Sequence, residues 1–462
     1  MPERDPIIQQ VAAYVANPPS FNDNAYFHAR LCLLDAIGCG LDALNFSECT
    51  QLLGPWIPGT VVPSGPRVFG TKLVLDPVQA AFQTGLLVRF LDYNDTFLSK
   101  EWAHPSDNLG ALLPLFDYKD RPLKDLLTAL IQAYEIQGTF SILNSFNSVG
   151  LDHVILVKLA TAALCTKALG GNQTQIEDTI SQVFIDLGPM RTYRHAPNTG
   201  MRKSWAAGDA CARGTELALL TMRGEKGYLT PLSAPKWGLH DVLFDGKPLE
   251  LPEKLDSYIV ENILFKVKYP AEFHAQTAVE IAARLHPQVK NRLKEIEAID
   301  INTHSAALRI IDKKGPLKNH GDRDHCIQYM TAIALLTGTL NAHDYSDQAA
   351  QNPQIDALRS LMRTSENLQF SKDYLDPEKR SIASSLTIHF KDGTTLGPET
   401  LEYPIGHKRR RAEALPLLRD KFLANSAKLP PAQAEKLASL FDQGADISSW
   451  SVKKLIDCTI SG

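Results

Sequence analysis

Apolar residues recur at helical spacing over most of the first 265 positions. In Asn24–Leu44, Phe27, Leu31, Leu34 and Ile37 fall on one face, the three-to-four spacing that predicts an amphipathic helix. Leu123–Phe140 reads the same way. Val154–Gly171 is apolar nearly all round, which predicts a buried central helix stopped by Gly170–Gly171. Ser204–Gly227 carries Ala and Gly on one side, and small residues let neighbouring helices approach closely. The period changes near Phe265. Ile296–His304 mixes alternation with β-branched residues and predicts a strand. Leu386, Ile388 and Phe390 alternate and then meet Asp392–Gly393, a strong hairpin signal. Helical spacing returns in 412–429 and 431–444. The expected fold is mainly α: a large all-helical domain over 1–265, a smaller α+β domain over 266–404, and helices in 405–462 that return to the first domain.

Composition narrows the class without naming a function. The chain has 462 residues, 44% hydrophobic and 22% charged, ordinary for a soluble globular protein with a large core. A net charge of −4 gives no global case for nucleic acid or an anionic membrane surface. No run reaches the roughly 18 apolar residues that a membrane span needs. The opening "MPERDPIIQQVAAYV" has acids early and no apolar signal core, so an ordinary helix of a cytoplasmic protein is expected. The seven cysteines are odd in number, widely spaced and without a CxxC pair. That argues against a disulfide framework, a zinc site and an iron–sulfur cluster. No metal and no cofactor are expected.

Five stretches carry groups that can do chemistry. "LDYNDTFLSKEWAHPSDNLG" crowds acids, amides and His104 directly after the apolar run "AAFQTGLLVRF". If the helix continued, Asp92 and Thr96 would share a face, and Pro105 disfavours helix at His104. The plainer explanation is a cap and a solvated turn. "GPMRTYRHAPNTGMRKSW" is basic, and Lys203 near a helix N-terminus is unfavourable for the dipole, which hints at a bound anion; surface charge explains it equally. His274 opens an amphipathic helix, where a histidine is usually structural. Tyr329 stands in an apolar helix after "GDRDH", where a tyrosine is usually core. Lys408–Arg411 is a basic run, either a solvated face or a hold on an anion.

Familiar catalytic motifs are missing: GxxxxGK[ST], GxSxG, HExxH and a complete GxGxxG after a strand do not occur. Taken in order, "LDYNDTFLSKEWAHPSDNLG", "GLDHVILVKLATAA", "MRKSWAAGDACARG", "KYPAEFHAQTAVE", "RDHCIQYMTAI" and "YPIGHKRRR" resemble the MmgE/PrpD family, over nearly the whole chain. The resemblance implies a large helical domain, a smaller α+β domain, a homodimer and an active site between the domains. It implies site residues at Asp92, Thr96, His104, Lys203, His274 and Tyr329. It implies elimination of water from 2-methylcitrate, a tricarboxylate, to give 2-methyl-cis-aconitate, with citrate or cis-aconitate as further substrates. Decarboxylation of cis-aconitate and isomerisation or epimerisation of polycarboxylates are alternatives on the same fold. The stretch before His104, "SKEWAHP", is two residues longer than the decarboxylase pattern and matches the dehydratase spacing. A non-catalytic helical scaffold is the remote alternative.

Such an elimination needs a base for the C2 proton, an acid for the departing hydroxide, and cations for three carboxylates. With no cluster available from the cysteines, side chains must supply all three. His104 is then expected as general base or acid, with His274 as its partner from the other domain. Lys203 and Arg202 are expected to grip carboxylates, Tyr329 to orient substrate or assist the leaving hydroxyl, and Asp92 and Thr96 to set the histidine tautomer or bind the hydroxyl.

Overall fold

The strongest helical patterns form helices close to their expected limits: Asp23–Ala43, Leu123–Leu143, Val154–Ala168 and Arg202–Met222. The computed structural model describes residues 3–195 and 197–461. Met1, Pro2, Ala196 and Gly462 lie outside the described residues, so the outer limits of the first and last expected segments, and one position of the basic stretch, are not placed. Local chemistry explains where helices begin. Asp76 accepts from the Val78 and Gln79 amides and precedes Pro77, a side-chain cap with proline at the first position, and so starts Pro77–Arg89.

Residues 1–265 are not uniformly helical. They include a two-stranded ribbon, β1 (Phe97–Leu98) and β2 (Trp102–Ala103), and an irregular stretch over 51–76. Pro55, Pro58, Pro63 and Pro66 interrupt that stretch, and each removes an amide donor from any helix.

The main sheet has β3 (Ile296–Thr303), β4 (Met362–Glu366), β5 (Ser384–Phe390) and β6 (Thr395–Leu401) in the order β4-β3-β5-β6. β3 and β4 are parallel and the other pairs antiparallel, with Ile299 opposite Ile388 and Ile301 opposite Leu386. Gly393, at φ +81°, makes the expected hairpin turn. β4, "MRTSE", was not signalled: only Met362 in it is buried, so it shows no alternation.

Two hydrophobic cores divide the molecule. The larger runs from Ile8 to Val267 and also takes in Ile405, Leu418, Phe422 and Leu455 from the end of the chain. The smaller gathers Val279, Ile299, Ile301, Ile333 and Leu386 beside the sheet. Leu98, Leu264, Phe273, Ala306, Tyr374 and Ile382 form a minor cluster joining residues of both parts. The chain is thus mainly α with a smaller α+β part.

Candidate active site

Two helices bring the first charged groups together. Pro77–Arg89 packs on Arg202–Met222, with Gly85 facing Gly208 so closely that a Cβ on Gly85 would lie 2.6 Å from the Gly208 Cα. No side chain fits at that crossing. Arg89 lies one turn beyond Gly85, and Lys203 lies at the start of the facing helix. The small-residue face expected from the sequence is therefore what allows the approach.

Helix ends at Arg89, so Asp92 and Thr96 do not share a helical face. Asp92 takes φ +49°, a left-handed conformation that side-chain-bearing residues adopt sparingly and that concentrates at functional sites. Thr96 and Leu264 exchange both backbone hydrogen bonds at 2.9 Å. That pairing sets Lys266 beside Asp92, where its ammonium donates to the Asp92 carbonyl and Oδ1, each at 2.5 Å. Arg89 also donates to Asp92 Oδ1. Burial raises the Asp92 carboxyl, but Arg89 and Lys266 more than offset it and hold it well below the usual range.

The β1–β2 ribbon then returns the chain to His104, immediately before Pro105. His104 Nδ1 donates to the Asp95 carbonyl at 2.8 Å, with Thr96 Oγ1 also 2.8 Å away. A carbonyl only accepts, so the proton is on Nδ1. On the other side Arg89 Nη2 donates to Nε2 at 3.1 Å, and a guanidinium only donates. His104 is thus a neutral imidazole with its Nε2 lone pair directed into the cleft. Burial, then Arg89 and Lys266, push it well below the ordinary histidine value.

The cleft has a cavity volume of about 40 Å³. Its walls carry four cations, Arg89, Arg191, Arg194 and Lys266, against two carboxylates, Asp92 and Glu272. His104, His153, His195 and His325 face the same space, with Trp102 and Ile310. With neutral histidines the lining has a net charge of two positive. Arg194 is held to buried Asp152 by Nε at 2.5 Å and Nη2 at 3.2 Å. His153 is buried with neither ring nitrogen hydrogen-bonded, its ring 5.8 Å from that of His104, and burial lowers it to about 3.

Of the residues expected from the sequence, Asp92 and His104 line the cleft, and Thr96 lies behind His104. Lys203 stands one layer back. Its ammonium pairs with Asp324, whose other oxygen accepts from His325 Nδ1 at 2.7 Å. The anion near that helix N-terminus is therefore Asp324 of the chain itself. His325 Nε2 is in turn 3.9 Å from Asp92 Oδ2. His274 is also one layer back: its Nδ1 donates to Glu272 at 2.7 Å, and its Nε2 accepts from Trp102 Nε1 at 3.3 Å.

Tyr329 and Arg202 are not brought to the cleft. The Tyr329 hydroxyl donates to the Asp344 carbonyl at 2.7 Å, and its ring packs near Tyr345. Arg202 stacks 4.4 Å from the Trp205 ring centre and pairs with Asp209 at 3.1 Å. Successive side chains on a helix point about 100° apart, so with Lys203 turned inward its neighbour turns out. The basic run Lys408–Arg411 is engaged within the chain: Arg410 pairs with Glu280 and Glu413, and Arg411 donates to the Ile263 carbonyl.

Sequence reasoning missed Arg89, His153, Arg191, Arg194, Lys266, Glu272 and His325 as site residues. Most lay inside stretches already singled out. Lys266 had its own signal, one cation in the apolar run "ILFKV", because a buried lysine requires a partner.

Asp92, Asp324 and His325 offer ligand atoms within 4.8 Å of one another, the group of that kind found among the described residues. Their carboxylates are already paired with Arg89, Lys266 and Lys203. A divalent ion would add charge to a site that is positive without it, so the donor set does not favour a metal.

Residues 9–252 match the MmgE/PrpD N-terminal domain and residues 269–445 the MmgE/PrpD C-terminal domain. The chain is 49% identical to a 2-methylcitrate dehydratase of Cupriavidus necator, over 99% of this chain and 97% of that protein. It is 49% identical to the 2-methylcitrate dehydratase of Escherichia coli K12, with the same coverage of both. It is 47% identical to a mitochondrial 2-methylcitrate dehydratase of Yarrowia lipolytica, over 99% of this chain and 90% of that one. The chain belongs to the MmgE/PrpD family.

Proposed function

We propose that the chain is a hydro-lyase that removes water from 2-methylcitrate to give 2-methyl-cis-aconitate, with side chains in place of a metal. The observation that carries this reading is His104: a neutral imidazole with a fixed tautomer and its lone pair in a cationic cleft. A tricarboxylate trianion complements the excess positive charge there. In the proposed step His104 Nε2 takes the C2 proton, the C–H electron pair becomes the C2=C3 double bond, and the C3–O bond breaks. Arg89, Arg191 and Arg194 bind carboxylates and oppose the charge that builds as the proton leaves. Of the four cations lining the cleft, only Lys266 can release a proton, because arginines do not; it protonates the hydroxide to water. Asp92 Oδ2 accepts the substrate hydroxyl.

Thr96 holds the His104 tautomer. Lys203 acts through Asp324 and His325, and His274 through Glu272 and Trp102. Thr96, Lys203 and His274 are positioning residues. Relatives at 47–50% identity over nearly the full chain named 2-methylcitrate dehydratase support the reading.

We also propose the organisation 1–265, 266–404 and 405–462, supported by the two cores and by the late helices packing into the larger one. A homodimer belongs to this proposal, and light scattering tests it. Among the described residues no helix is long and apolar enough to cross a membrane. All seven cysteines are free and buried, which fits a reducing compartment, cytoplasmic in this reading.

The test is to incubate chelator-treated protein with 2-methylcitrate, citrate and isocitrate and to follow alkene absorbance. Alkene from 2-methylcitrate with carbon conserved is expected. Release of CO₂ from cis-aconitate without dehydration would overturn it in favour of decarboxylation.

A further inference from the structure

Among the described residues, Ile310 is the one lining the cleft whose side chain has no nitrogen or oxygen. It comes from the helix Ser305–Ile311 of the smaller part and reaches into a space otherwise walled by cations, carboxylates, imidazoles and an indole. The indole is already engaged. Trp102 Nε1 donates to His274, and the ring lies against Arg191 at 5.1 Å and Arg309 at 5.3 Å. Ile310 is fixed in place, packed against both the smaller core and the cluster that joins the two parts.

Every other group on a methylated citrate, three carboxylates and a hydroxyl, finds a charged or hydrogen-bonding partner on these walls. Among the described lining residues the methyl group has an aliphatic partner at Ile310. Setting that methyl against a cation would strip water from the cation with nothing in return, whereas setting it against a branched aliphatic side chain buries apolar surface on both.

We propose that Ile310 receives the C2 methyl of the substrate and so determines preference for methylated over unmethylated tricarboxylates. This rests on the dehydration reading above. The ceiling is modest, because one methyl group in an apolar pocket is worth about 10–200-fold in discrimination.

The experiment compares kcat/KM for 2-methylcitrate and for citrate in the wild-type protein, Ile310→Ala and Ile310→Val. In Ile310→Ala the ratio of the two should fall about fivefold or more, within that ceiling, chiefly through a higher KM for 2-methylcitrate, while citrate turnover stays close to wild type. Ile310→Val removes one methyl group, carries little folding risk, and should lower the ratio by a smaller but measurable factor. A ratio unchanged in Ile310→Val and in any soluble Ile310→Ala overturns the proposal, as does an equal loss on both substrates. Wild-type protein that dehydrates neither acid overturns the dehydration reading itself, which separates the two failures.

Discussion

Arg89 Nη2 donates to His104 Nε2 at 3.1 Å, so a permanent cation caps the lone pair that the proposed reaction uses. The contact keeps the imidazole neutral and marks where a substrate atom replaces the guanidinium. It also fixes the pH response. His104 lies well below the ordinary histidine value of 6.5, so as pH falls through 6.5 the lone pair is retained. The profile of kcat/KM, which reports the free enzyme, should therefore stay level through that region and fall only at lower pH. An acid limb centred at or above the ordinary value would contradict the assignment.

The crossing of Gly85 and Gly208 is a steric requirement on the helices that carry Arg89 and Lys203. In Gly208→Ala the new methyl group would press into the Phe82 carbonyl. Overpacking of this kind costs about 1–3 kcal/mol. Urea denaturation should show a loss of that size, and kcat should fall because both charged ends shift.

Lys421 holds the site from behind. Its ammonium donates to Asp35 Oδ1 at 2.7 Å and to the carbonyls of Tyr93 and Lys266 at 2.8 Å each. Lys421→Met leaves Asp35 buried without its partner, which costs about 3–5 kcal/mol. Adding Asp35→Leu should recover part of that stability but not the activity, because the two carbonyls beside Asp92 and Lys266 still lack their donor. Denaturation and turnover of both variants check this.

Arg191 and Arg202 are eleven residues apart in one basic stretch but face different surroundings. Arg191 lines the cleft; Arg202 stacks on Trp205 outside it. Loss of a hydrogen bond to a charged group costs about 1.5–3 kcal/mol, so Arg191→Ala should raise KM for 2-methylcitrate by roughly tenfold or more. Arg202→Ala should leave kcat/KM nearly unchanged, as surface substitutions within about 0.5 kcal/mol do. Steady-state kinetics of the pair distinguish them.

The fold was legible where periodicity is strong. Asp23–Ala43 and Val154–Ala168 followed from apolar spacing, and β5 from its alternation before Asp392–Gly393. β4 was not, because a short polar strand shows no pattern until it pairs with β3. For the site, the segments were legible and the individual side chains less so. His104 and Asp92 stood out in a polar cluster after an apolar helix. His325 and His153 sat in phrases that had been noticed, but which histidine turns inward depends on packing between helices distant in sequence. Tyr329 illustrates the converse: its residue type suits chemistry, yet the fold spends its hydroxyl on the Asp344 carbonyl.

The most direct test of metal-free proton removal by His104 is the rate of alkene formation from 2-methylcitrate by chelator-treated protein, wild type beside His104→Ala. The wild type should keep its activity after chelation. The variant, with an unchanged melting temperature, should lose about 10²–10⁴-fold, the range for a true acid–base group. A folded His104→Ala protein that turns over near the wild-type rate would contradict the account, as would wild-type activity that disappears on chelation and returns with added metal.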